Sequence, residues 1–197
     1  MLTKTQLKIM QFFASQITGR FSLRGVGKEL KIHQALAYRA SKTLIEKKLI
    51  VADKNNYALN YKENHQELAY FEFLRGRSFL VNHKTLDMFR HDLIEKFPYG
   101  YFVFLLFGSS VTDIKPRDID LLIIIEKTKD IEQAEKALYN ISRNYTLNFH
   151  SVVISFESVF EMLASRDENN LMNQVLNKHI ILYGGELFYK LLKRGRK

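Results

Sequence analysis

Between residues 101 and 125 the chain carries YFVFLLF and then LLIII, two runs with almost no polar position. Apolar runs of this length, bounded by turn-forming residues, read as buried strands. They fall far short of the roughly 20 residues that a membrane-spanning helix needs, so no membrane partner is expected. A third strand is predicted at LNFHSVVIS, and KDIEQAEKALYNISRNY between the second and third reads as an amphipathic helix. Strands alternating with helices predict a small α/β layer. SFESVFEMLASRD, ENNLMNQVLNKHI and GELFYKLLKR are expected to be helices that cover it.

The N-terminal third follows a different rhythm. Residues 4–15 place Leu7, Ile9, Met10, Phe13 and Ala14 on one helical face, and Ser22 is a good N-cap for a short helix with Leu23, Val26 and Leu30 inward. After a turn at Lys31–His33, QALAYRASKTLIEKKL puts Ala37, Ala40, Ser41 and Leu44 on a packing face, with Gln34, Tyr38, Arg39 and Lys42 projecting away. LIVADKNNYALNY then reads as a β-hairpin turning at Asp53, Lys54, Asn55 and Asn56. Three helices and a hairpin in this order resemble a winged helix-turn-helix. The resemblance implies a third helix that enters the major groove, with Gln34, Tyr38, Arg39 and Lys42 as groove contacts and Lys54 as a wing contact.

Charge points the same way. Residues 1–62 hold 12 Lys and Arg against 3 Asp and Glu, whereas residues 63–197 hold 18 of each, so the whole formal excess of +9 sits in the first segment. Such concentration predicts a polyanion partner bound through phosphate contacts, in a salt-sensitive manner. Nucleic acid is the expected partner, with DNA favoured over RNA. Cys is absent and no N-terminal segment reads as a secretory leader, which makes the cytoplasm the expected location. Residues 63–97 read as helices, with breaks expected at Gly76 and at Asn82–His83.

The chemistry-bearing stretch is FLLFGSSVTDIKPRDIDLL, residues 104–122. Asp118 and Asp120 stand two positions apart on a strand, hence on one face, where both charges together are unfavourable unless a cation lies between them. A hard divalent ion such as Mg²⁺ takes one or two carboxylates plus phosphate oxygens. Gly108 lets the backbone come close, and the N–H groups and hydroxyls of the corner at Ser109 and Ser110 suit a phosphate.

Phe107, Gly108 and Ser109, a polar gap, then Asp118, Ile119, Asp120 and Leu121 resemble the signature of the DNA polymerase β-like nucleotidyltransferases, in their minimal branch. The resemblance spans about residues 99–156, and more loosely ILYGGELFYKLLK. It implies that Asp118 and Asp120 hold one or two Mg²⁺ ions on a nucleoside triphosphate, with ATP the expected nucleotide. Gly108, Ser109, Ser110 and Arg117 would position the phosphates, and an acceptor hydroxyl would displace pyrophosphate.

The gap from Ser109 to Asp118 is short for the family, and Arg117 stands where Ser is usual. The family's third carboxylate is missing from LNFHSVVIS, where His150 takes its place as a candidate ligand or base; Glu157 ends that strand. The expected fold class is α+β, with a winged helix-turn-helix at 1–62, a helical connector at 63–98, and a minimal nucleotidyltransferase domain with a mixed sheet and C-terminal helices at 99–197. Two functions stay open: transfer of a nucleoside monophosphate to a protein, RNA or small-molecule hydroxyl, or DNA-binding regulation with a degenerate nucleotide-sensing domain. An antitoxin-like member acting on a toxin partner is a third reading, and a homodimer is compatible with each.

Overall fold

The computed structural model describes residues 2–112, 118–166 and 169–196. Helix α1 (Lys4–Ser15) opens on a reciprocal cap in which Thr3 Oγ1 accepts from the Gln6 amide and Gln6 Oε1 accepts from the Thr3 amide. Two N–H groups that a first turn leaves orphaned are thereby satisfied. Helix α2 (Leu23–Glu29) starts at Ser22, whose hydroxyl accepts from the Gly25 amide at 3.1 Å. Helix α3 (Gln34–Glu46) buries Ala37, Ala40, Ser41 and Leu44. Strands β1 (Ile50–Asp53) and β2 (Asn56–Leu59) pair antiparallel around a two-residue turn. Lys54 takes the left-handed φ of 53° that such turns require. Phe21 bridges Tyr57, and Arg20 pairs with Asp53 at 2.8 Å, which fastens the segment before α2 to the hairpin.

Helices α4 (His65–Leu80) and α5 (Lys84–Lys96) follow. Of the two expected breaks only the one at Asn82–His83 occurs, and α4 runs straight through Gly76. Gly76 serves packing instead: a Cβ there would stand 3.0 Å from the Ile181 carbonyl oxygen, so the bare backbone lets α4 lie against the last strand.

That last strand corrects a second expectation. Among the described residues of ENNLMNQVLNKHI only Leu171–Val175 is helical (α8), and the chain enters β6 (His179–Tyr183) soon after. HIILY pairs antiparallel with β3 (Val103–Phe107), whose apolar edge would otherwise leave backbone groups unpaired in the interior. On its other side β3 pairs antiparallel with β4 (Ile119–Ile125), and β4 pairs in parallel with β5 (Phe149–Ser155). The crossover between those two contains α6 (Ile131–Ser142). The result is an α+β chain with a mixed four-stranded sheet in the order β5-β4-β3-β6.

Both faces of the sheet are covered, which is why the strands need no polar face. Phe104, Leu106, Leu121, Ile123 and Val153 pack with Leu86, Phe89 and Leu93 of α5 and Ala134 and Leu138 of α6. Val103, Leu105, Leu122, Ile124 and Ile154 join the opposite cluster. That cluster reaches α7 (Phe156–Ala164) and α9 (Gly185–Gly195), and it also takes in Phe13, Leu44, Leu59 and Phe71. The N-terminal helices therefore share one core with the sheet. The Ile17 amide also donates to the Leu176 carbonyl at 3.0 Å. No described helix is long and apolar enough to cross a membrane.

Candidate functional site

Strand β3 ends at Phe107, and the chain turns at Gly108 with φ of 67° into a short 3-10 turn, Gly108–Val111. Antiparallel pairing brings this corner beside the start of β4. There Asp120 lies against Gly108: a Cβ on Gly108 would stand 2.6 Å from Asp120 Oδ2. Glycine at 108 is thus required twice, by its backbone angle and by the carboxylate over it. Asp120 shares the sheet face of Leu122 and Ile124, so it marks where an apolar face becomes polar at the strand's end.

His150 is the register partner of Asp120 on β5, with Nδ1 3.9 Å from Asp120 Oδ1. Its side chain is 62% exposed against 26% for Asp120, so the carboxylate is the more sheltered of the two. Asp118 precedes β4 and accepts from the Asn148 side-chain amide, while the Ile119 amide donates to the Asn148 carbonyl at 2.8 Å. Asn148 therefore clamps the first carboxylate through side chain and backbone together.

The two serines of the corner differ. Ser109 is exposed, whereas Ser110 is fully buried and donates its hydroxyl to the Phe107 carbonyl. Ser110 stabilises the turn and turns its side chain away from solvent. Arg117 lies outside the described residues. Glu157 is at the far end of β5, where it accepts from Thr128 Oγ1 at 3.2 Å, so it stands apart from Asp120 and His150.

Of the expected donors the sheet brings Asp120 and His150 together, while Asp118 is engaged by Asn148. Among the described residues no group of three or more His, Asp or Glu side chains is gathered closely enough to hold a metal.

On the N-terminal segment Gln34, Tyr38, Arg39 and Lys42 all project from the exposed side of α3, and Lys54 is exposed at the hairpin turn. Arg39, Lys42 and Lys54 have no carboxylate partner among the described residues, whereas Arg20 is bound to Asp53. The exposed face of α3 is therefore cationic, with Tyr38 62% exposed on it.

Sequence reasoning missed a buried polar cluster behind the corner. Glu72 of α4 is 1% exposed, and its Oε2 accepts from Arg75 Nη1 at 2.6 Å. Its Oε1 accepts from Tyr189 at 2.8 Å and lies 3.3 Å from His179 Nε2. Arg75 Nη2 also donates to the His179 carbonyl at 2.6 Å, and His179 is the register partner of Phe107, the residue before Gly108. Burial alone would raise the Glu72 pKa, but Arg75, His179 and the hydrogen bond from Tyr189 outweigh it and hold the carboxyl below its ordinary 4.5. The signal was present in the sequence, since Glu72 falls in the apolar register of Leu68, Phe71 and Leu80. Asn148 left no comparable signal, because its role depends on strand register.

No family model, no curated protein and no solved structure matches this chain.

Proposed function

We propose that the chain is a Mg²⁺-dependent nucleotidyltransferase of the minimal DNA polymerase β-like kind, carrying an N-terminal winged helix-turn-helix that binds nucleic acid. The observation that carries this reading is the seating of Asp120 over Gly108, since it makes the carboxylate and the phosphate-holding corner one site. The chemistry is transfer of a nucleoside monophosphate from a triphosphate to an acceptor hydroxyl. Asp118 and Asp120 supply the anionic ligands, and the cation they would hold neutralises charge on the phosphates. The Gly108 and Ser109 amides orient the phosphate chain, and the Ser109 hydroxyl is free to join them.

Asn148 fixes the Asp118 carboxylate, so that its orientation is set before the nucleotide arrives. His150 stands beside Asp120 where it can accept the proton of the attacking hydroxyl. Winged-helix binding is supported by the exposed set Gln34, Tyr38, Arg39 and Lys42 and by Lys54 on the hairpin. The acceptor is the hydroxyl of a protein, an RNA or a small molecule.

The test is incubation with each α-labelled nucleoside triphosphate and Mg²⁺, comparing wild type with Asp118→Asn and Asp120→Asn. Label transferred by the wild type and lost in both variants supports the reading; absence of both transfer and Mg²⁺-dependent binding of any triphosphate in the wild type contradicts it. A second reading is favoured by one observation, that the partner of Asp120 across β5 is an imidazole rather than a third carboxylate. On it the domain senses Mg-nucleotide without turnover, and the protein is a DNA-binding regulator. It requires salt-sensitive operator binding that changes with bound nucleotide.

A further inference from the structure

A cleft of about 460 Å³ lies at the β6 edge of the sheet, opposite the β5 edge that carries His150, between α4, the start of α5 and strand β6. Strand β3 separates β6 from Asp120 on β4, and His150 lies on the far edge strand β5, so the cleft is no part of the site described above. Its volume falls within the roughly 300–1,000 Å³ that small-molecule sites occupy. Leu80, Val81, Ile181 and Leu182 give it an apolar lining, and Phe73 presents a ring 55% exposed to solvent. Phe73 and Val81 are the two lining residues whose apolar surface stays open to solvent at this concavity.

The rim is cationic. Arg77, Lys84 and Arg90 line it against a single carboxylate, Asp87, and that carboxylate is already paired with Arg90 at 2.9 Å. Arg77 and Lys84 have no carboxylate partner among the described residues. Arg77 instead stands over the Phe73 ring, 5.7 Å from its centroid, so cation and aromatic face reach the cleft together. Guanidinium and ammonium groups beside an aromatic face match an anionic phosphate joined to a flat heterocycle.

We infer that this cleft is a second ligand site, which binds a nucleoside monophosphate. Arg77 and Lys84 take the phosphate, and the base lies against Phe73 and the apolar lining. The site needs no divalent cation, because its charge comes from side chains. It stands independently of the nucleotidyltransferase reading.

The test is calorimetric titration of the full chain with AMP, GMP, CMP and UMP in EDTA, with inorganic phosphate and adenosine as separate arms. At least one monophosphate binds, and phosphate or nucleoside alone binds at least about tenfold more weakly, since each makes only part of the contacts. Arg77→Ala with Lys84→Ala weakens binding by about tenfold or more, and Phe73→Ala weakens it as well. Asp120→Asn leaves it unchanged. All three cleft side chains are exposed, and thermal unfolding of each variant checks that the fold is kept. The inference is overturned if no monophosphate binds in EDTA, if affinity survives the double substitution in a folded protein, if Asp120→Asn abolishes it, or if inorganic phosphate binds equally well.

Discussion

Glu72 shows how much a single carboxylate can control in a small chain. It accepts from Arg75 and Tyr189 and faces His179, all in the interior, so removing it leaves charge and donors unpaired. Glu72→Ala is expected to cost about 3–5 kcal/mol in denaturant unfolding, the range for breaking one side of a buried pair. The pH dependence has a fixed sign. Because the folded protein holds the carboxyl below 4.5, its stabilisation is fully present above that pH and is lost as pH falls toward the lowered value. Acid unfolding followed by circular dichroism should lose this contribution below pH 4.5, and Glu72→Gln should flatten that limb. Gly108 sets a second, independent test. Gly108→Ala places a methyl 2.6 Å from Asp120 Oδ2 at a backbone φ of 67°. It is expected to cost about 1–2 kcal/mol from the backbone alone and to displace the Asp120 carboxylate. Stability and Mg-nucleotide affinity should fall together.

Helices and strands differ in how plainly the sequence announces them. The capped amphipathic helices α1, α2 and α3 follow from Thr3, Ser22 and the spacing of their apolar residues, because those signals are local. Strands β3 and β4 were equally plain, since residues buried on both faces leave Asp120 as the one polar position in the two runs. Strand β6 was not legible: its stabilisation comes from pairing with β3, about 75 residues earlier in the chain, and a short apolar run read alone continues a helix just as well. Gly76 misled for a related reason, since a glycine that breaks a helix and one that admits a neighbour look alike until the neighbour is known. In the candidate site, Asp118, Asp120 and Gly108 were readable from spacing, while Asn148 and the inward turn of Ser110 needed the register and the corner's geometry. A test belongs to α3. Arg39→Ala with Lys42→Ala should weaken nucleic-acid binding and reduce the slope of log affinity against log salt by about 0.9 per lost phosphate contact. An unchanged slope would remove α3 from the interface.

Taken whole, the chain is organised around its sheet, with one apolar cluster running from Phe13 and Leu44 through Leu105 and Ile124 to Phe188 and Leu192. Elements from both ends of the sequence meet in it, so unfolding should be one cooperative transition, coincident by far-ultraviolet and aromatic signals. Two separated transitions would contradict that continuity. The same cluster takes in Ala40 and Leu44 of α3 and Leu105 of β3, the strand that leads into the Gly108 corner. The central claim is that Asp120 and the Gly108 corner form one Mg-nucleotide site. Its most direct test is calorimetric titration with ATP, the expected nucleotide, in Mg²⁺ and in EDTA, using wild type and Asp120→Asn in an Arg77→Ala, Lys84→Ala background. The account predicts binding that requires Mg²⁺ and falls by about tenfold or more in Asp120→Asn. Absent binding in Mg²⁺, or binding indifferent both to Mg²⁺ and to Asp120, would contradict it.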